Sequence, residues 1–326
     1  MSLPDPTRPL DAAAAAEAFD TILDGAADPA TIAQFLTVMA ERDETAIEIA
    51  AAVRAMRARM IPVAAPPGTI DVCGTGGDGS HSLNVSTAVA LVVAACGVPV
   101  AKHGNRAASS QAGAADTLEA LGLDLARASQ QAEATLAEIG ICFLFAQAHH
   151  PALGRLAPVR KAIGRRTIFN LTGPAANPAG VRRQLIGLAR PDFMTTYGAA
   201  LELLDYHDAM LVAGDEPLDE LSVAGPSTFI RLGSLPERIE PEAAGLTRHP
   251  AEAIRGGDAA YNAAALRRLL AGEPGAYRDA VLFNAAAALI VAGATSDWHA
   301  GAEEAAEAID RGLAKALLDC WIVATR

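Results

Sequence analysis

Residues Asp71–Thr87 read DVCGTGGDGSHSLNVST. A short apolar run ends in Gly74-Thr75-Gly76-Gly77-Asp78-Gly79, and a helix is expected to begin between Asn84 and Thr87. Glycines let backbone N–H groups close on a ligand without side-chain obstruction. A helix N-terminus adds unpaired donors and partial positive charge, so the combination favours a phosphate or pyrophosphate. Ser82, Asn84, Ser86 and Thr87 add hydroxyl and amide groups. The loop is neither a Walker A motif nor a dinucleotide fingerprint in its usual spacing.

Around this loop, apolar runs alternate with helical patterns. Strands are expected at Thr69–Cys73, Val98–Ala101, Cys142–Phe145, Leu185–Leu188 and Ala209–Val212. Helices are expected at Ser86–Cys96, Gln130–Ile139, Asp192–Leu204, Ala259–Leu270 and Ala280–Val291. Such alternation implies an α/β fold with a mostly parallel central sheet, whose ligands bind beyond the carboxyl ends of the strands. Upstream, three amphipathic helices are expected: Phe19, Ile22 and Leu23 on one, Ile32, Phe35, Leu36 and Met39 on the next, Ile49, Val53, Met56 and Met60 on the third. Asp28-Pro29 introduces the second and Asp43 is read as the cap of the third. The Pro-rich Ile61–Gly68 reads as a linker. The chain divides into an N-terminal helical domain, 1–66, and a larger α/β domain, 67–326.

The chain of 326 residues is 51% hydrophobic and 20% charged, with a formal net charge of −12. Disorder is disfavoured, and so is binding to nucleic acid by charge alone. Its 4 Cys residues (Cys73, Cys96, Cys142, Cys320) are far apart, and the first three sit in apolar runs as small core residues. No signal peptide or membrane span is evident, so a cytoplasmic protein is expected.

A basic cluster, Lys102-His103-Gly104-Asn105-Arg106, follows the second expected strand and leads into Ala107-Ala108-Ser109-Ser110. In an acidic chain, two cations at a strand end fit an anionic substrate with several oxygens. GTGGD together with KHGNR resembles the anthranilate phosphoribosyltransferases, enzymes of tryptophan biosynthesis in glycosyltransferase family 3. The resemblance extends through DTLEALG (Asp116–Gly122), FLFAQAHHPA (Phe143–Ala152), APVRKAIGRRTIFNLTGPAANPA (Ala157–Ala179) and LDELS (Leu218–Ser222).

The resemblance implies transfer of phosphoribose from 5-phosphoribosyl 1-pyrophosphate (PRPP) to anthranilate. The products would be N-(5-phosphoribosyl)anthranilate and pyrophosphate. By the same resemblance, PRPP meets Gly74, Gly77, Asp78, Ser82, Asn84, Val85, Ser86 and Thr87. It also meets Lys102, His103, Gly104, Asn105, Arg106, Ala107, Ala108, Ser109 and Ser110. Anthranilate meets Gly74, Asn105 and Arg160, and Mg²⁺ meets Ser86, Asp219 and Glu220. The resemblance implies a homodimer through the helical domain; the charge and the short apolar runs lead to the expectation of no nucleic-acid and no membrane partner, and the Pro-rich linker to that of a hinge near Pro62–Gly68. No general base is assigned, and His149-His150 fit either the acceptor site or the end of a strand. A pyrimidine nucleoside phosphorylase-like enzyme and a non-catalytic nucleic-acid-binding paralogue are the alternatives.

Several positions depart from the family pattern: Ala114 where a hydroxyl is usual, Gln147 where Pro is common, and Ala213-Gly214-Asp215-Glu216-Pro217 before the acidic pair. The last is expected to alter charge near the metal, and all three bear on acceptor selectivity.

Overall fold

The computed structural model describes residues 2–107, 110–216 and 218–326. Three helices open the chain, Ala12–Leu23, Pro29–Glu41 and Ala46–Arg57. Asp28 caps the second through the N–H groups of Ala30 and Thr31, with Pro29 in the first turn, as its sequence predicts. The third is capped differently. Asp43 has φ +63° and stands outside the helix. Thr45 is the cap, in a reciprocal box with Glu48. An Asp two residues too early tolerates the left-handed turn that delivers the chain to Thr45.

The apolar stripes of these helices are spent within the chain. Phe19, Ile22, Phe35, Met39, Ile49 and Met56 share one buried cluster with Leu156 of helix Pro151–Ile163, Phe169 of turn Ile168–Leu171 and Tyr197 of helix Met194–Leu203. The segment after Met60 is pinned to the α/β part. The N–H of Ile61 donates to His149 O, that of Val63 to Pro178 O, and that of Ala64 to Glu133.

The strands are β1 (Asp71–Gly74), β2 (Val100–Gly104), β3 (Ile141–Phe145), β4 (Arg183–Gly187), β5 (Asp208–Gly214), β6 (Ser227–Arg231) and β7 (Glu237–Ile239). One sheet has the order β1-β4-β5-β6-β7, parallel through β5 and antiparallel beyond it. β2 and β3 form a separate parallel pair. β1 and β2 meet at a bridge, Ile70 to Val100, before they diverge.

The cause of the divergence is Asp71. Its carboxylate is fully buried and lies where ladder bonds would continue, accepting the His103 N–H (3.1 Å), Asn177 Nδ2 and Gln184 Nε2 (both 2.9 Å). Burial pushes its pKa up, against the attraction of Lys102. β2 also runs three residues further than its apolar run predicts, so Lys102, His103 and Gly104 belong to the strand. A second apolar cluster fills the α/β part around helices Val85–Ala95 and Ala276–Ala292.

Candidate active site

The glycine loop, the end of β2 and the acidic pair open onto one cavity of about 370 Å³. Its lining includes Gly74, Gly77, Asp78, Ser82, Asn84 and Ser86 from the first turn. Lys102, His103, Gly104, Asn105, Arg106, Ala107 and Ser110 come from the second, and Arg160, Asp219 and Glu220 complete it. Two expected residues stand apart from it. Val85 packs in the apolar core, and Thr87 is buried with its hydroxyl unpartnered. Ala108 and Ser109 lie outside the described residues.

Positive φ at Gly76, Gly77 and Gly79 bends the loop back on itself. The Gly76 N–H donates to Asp219 Oδ2 at 2.7 Å, and the Asp219 N–H donates to Asp78 Oδ2 at 3.2 Å. Glu220 Oε1 accepts the Ser86 N–H at 3.1 Å, while Glu220 Oε2 is buried without a partner. Burial, then Asp78, raises the Asp219 pKa; burial, then Asp219, raises that of Glu220 well above the carboxylate range. Two carboxyls pushed toward protonation beside an orphaned oxygen fit a divalent cation. Among the described residues no three His, Cys, Asp or Glu side chains are grouped to hold one alone. The set therefore fits a hard ion that takes its remaining oxygens from water and from a ligand's phosphates.

The second turn is organised by Asp116. Its carboxylate accepts the N–H groups of Ala107 (3.0 Å) and Gly113 (2.9 Å) and one nitrogen of Arg106. Arg106 is also held by Glu119 and lies over the Phe145 ring. Its charge is thus already balanced within the turn. Lys102 is buried against the cavity and donates to His103 O. Asn84 is likewise engaged, accepting from Thr117 and from Asn262 and donating to Ala112 O.

The guanidinium of Arg160, in the last turn of Pro151–Ile163, has no ion-pair or hydrogen-bond partner among the described residues, and burial lowers its pKa. Met56, Leu153, Phe169 and Pro174 give this side of the cavity apolar walls. An unpaired guanidinium beside apolar walls suits a flat ring carrying a carboxylate.

The two neighbouring histidines separate. His150 lines the cavity, whereas His149 Nδ1 bonds Ile61 O at 2.9 Å and ties down the linker. His103 Nδ1 bonds Gly173 O at 3.1 Å. A carbonyl only accepts, so Nδ1 of His103 carries the proton and Nε2 keeps a lone pair. Burial, then its histidine neighbour, pushes His103 down to about 3, and burial pushes His150 down to about 4.

The departures resolve locally. Ala114 lines the cavity. Gln147 Nε2 reaches Asn105 Oδ1 at 3.4 Å. Asp215 pairs with Arg238 and Glu216 accepts from Ser222, so both added charges are neutralised or bonded elsewhere. Pro217 lies outside the described residues.

Sequence reasoning passes over Asp71, Asn177 and Gln184, which set the β2 end, and Arg166, which grips the glycine loop. Asp71, Arg166 and Asn177 all lie within quoted stretches, but nothing local in the sequence shows the partners they take.

Residues 6–60 match the model of the glycosyl transferase family helical bundle domain, and residues 66–315 that of its a/b domain. The chain is 64% identical to anthranilate phosphoribosyltransferase of Novosphingobium aromaticivorans over 99% of its own length and 98% of that protein's. It is 62% identical to the one from Sphingopyxis alaskensis, over 98% and 97%. Among solved structures, anthranilate phosphoribosyltransferase from Thermus thermophilus superposes with a TM-score of 0.92 at 40% identity, covering 98% and 97% of the two chains. The Saccharomyces cerevisiae enzyme in complex with PRPP and Mg superposes at 0.90 and 27%, covering 97% and 93%. By matches that span both parts of the fold, the chain belongs to the anthranilate phosphoribosyltransferases of the glycosyl transferase family.

Proposed function

We propose that this chain transfers phosphoribose from PRPP to the amine of anthranilate, releasing pyrophosphate, a step of tryptophan biosynthesis. The observation that carries the reading is the single cavity in which the glycine loop, Lys102, the acidic pair and the unpaired Arg160 meet. The yeast relative's PRPP and Mg complex and its 4-fluoroanthranilate complex support it.

Arg160 takes the acceptor's carboxylate and the apolar walls take its ring, which directs the amine toward the sugar. The glycine-loop N–H groups and Lys102 stabilise the charge that builds on departing pyrophosphate. Asp219 and Glu220, with the Ser86 region, would hold Mg²⁺, which would neutralise charge on phosphate oxygens. The aromatic amine brings its own lone pair. His103 and His150, held neutral and weakly basic, are poor proton acceptors before attack. The reaction thus runs on positioning and electrostatics, without a strong general base.

A homodimer and a cytoplasmic setting complete the proposal. Since the helical stripes are buried within the chain, a dimer contact through residues 1–66 would draw on outward residues such as Ile47, which is 41% exposed. Light scattering after gel filtration tests it, with twice the chain mass expected. No helix among the described residues is long and apolar enough to cross a membrane.

The test of function is loss of anthranilate fluorescence with PRPP and Mg²⁺. The proposal expects loss only when both are present. Phosphate-dependent release of a base from uridine or thymidine, without that loss, contradicts it.

A further inference from the structure

The geometry points to Arg166 as a positioning residue that aims the glycine loop's N–H groups at the donor's phosphates, an inference that rests on the transferase reading above. Arg166 Nη2 donates to the carbonyls of both Gly76 and Gly77, each at 2.7 Å. In a trans peptide the C=O and the following N–H point in opposite directions. Holding those two oxygens therefore turns the N–H groups of Gly77 and Asp78 away from Arg166.

Neither of these N–H groups has an acceptor among the described residues. Both residues line the cavity. Gly76 and Gly77 have successive positive φ values of +68° and +70°. Consecutive N–H groups in such a turn form an anion-binding concavity. Without the guanidinium, either carbonyl could swing toward the cavity and present a negative dipole to a phosphate.

Gly77 acquires a second reason to be glycine. A Cβ there would stand 2.7 Å from Arg166 Nη2. Arg166 also adjoins Thr167, which opens the turn Ile168–Leu171, and Phe169 and Asn170 of that turn line the same cavity. A single residue thus fastens the donor loop to an element of the acceptor side.

The test is steady-state kinetics on the full chain with Arg166→Met, Arg166→Gln and Arg166→Lys, alongside melting temperatures and calorimetric titration with pyrophosphate and Mg²⁺. Met and Gln should raise KM for PRPP on the order of tenfold and leave KM for anthranilate within about twofold. Pyrophosphate affinity should fall in parallel, and Lys should recover part of both. An unchanged PRPP KM in a folded Met or Gln variant overturns the assignment. So does an equal rise in both Michaelis constants with a lowered Tm, the mark of a merely structural role. Should the wild type consume no anthranilate, the functional reading fails instead. The titration then decides Arg166 alone, and unchanged pyrophosphate affinity in the variants refutes it.

Discussion

The carboxylate of Asp219 holds the backbone of Gly76 at 2.7 Å, so the turn after β5 and the turn after β1 are fastened together at the site. The fit leaves no slack. A Cβ on Gly74 would lie 2.1 Å from Asp219 Oδ2, and one on Gly187 would lie 1.5 Å from Asp219 O. Two glycines of adjacent strands β1 and β4 thus make room for one acidic residue.

Gly74→Ala should displace the Asp219 carboxylate and lower kcat/KM for PRPP on the order of a hundredfold, since small misplacements of this kind carry large rate penalties. Gly76→Ala differs, because its Cβ would meet nothing and only its φ of +68° is strained. That strain costs about 1–2 kcal/mol of stability. Parallel kinetics and thermal melts of the two variants check the contrast, which fails if Gly76→Ala is the more damaged in turnover.

The glycine turn after β1 was legible because glycine spacing, a preceding apolar run and a following helix all point one way. β1 to β5 were visible as apolar runs. β6 and β7, STFIR and ERI, were not, because short antiparallel strands with exposed charge lack a continuous apolar signal. The separation of β2 from the main sheet was hidden too. It depends on one buried carboxylate, Asp71, whose partners Asn177 and Gln184 lie over a hundred positions away. Arg106 read as a cation for substrate, yet Asp116 and Glu119, ten and thirteen residues on, already hold it. Local composition reveals a charge but not its partner.

Arg160→Ala should raise KM for anthranilate by at least about tenfold, the usual consequence of removing one side of a desolvated charge pair, with a smaller change for PRPP. The guanidinium has no partner among the described residues to be orphaned, so the melting temperature should hardly move. Equal effects on both substrates would remove Arg160 from the acceptor site.

His103 and His150 should make the protein acid-labile. Both are buried neutral, with pKa values near 3 and 4 against an ordinary 6.5. The unfolded chain binds the extra protons first, so stability is full above pH 6.5 and declines as pH falls toward 3. Each imidazole contributes up to about 1.4 kcal/mol per pH unit in that window. His150→Asn should flatten the slope in urea titrations between pH 6.5 and 4. An unchanged slope would show that the imidazole is already charged in the native state.

Glu48 should be the helical bundle's most sensitive polar side chain. Fully buried, it accepts from Arg42, from the Leu10 N–H (2.9 Å) and from the Thr45 N–H (2.8 Å). Burial alone would raise its pKa, but Arg42 and these N–H groups outweigh it and hold the carboxyl below 4.5. Glu48→Ala should cost about 3 kcal/mol at neutral pH. The depressed pKa makes that contribution complete above 4.5 and lost as pH falls through the lower, folded value. Denaturation of both proteins at pH 7 and pH 3 measures this, and a penalty that is equal at both would refute the ionic role.

The central claim is that one cavity holds a doubly phosphorylated sugar whose pyrophosphate is bound through a divalent ion on Asp219 and Glu220. Calorimetric titration of PRPP into wild type and the Asp219→Ala/Glu220→Ala variant, each with and without Mg²⁺, tests it most directly. We predict that Mg²⁺ tightens binding to wild type by at least about tenfold and that the variant loses this gain. Equal PRPP affinity in all four titrations would contradict the account.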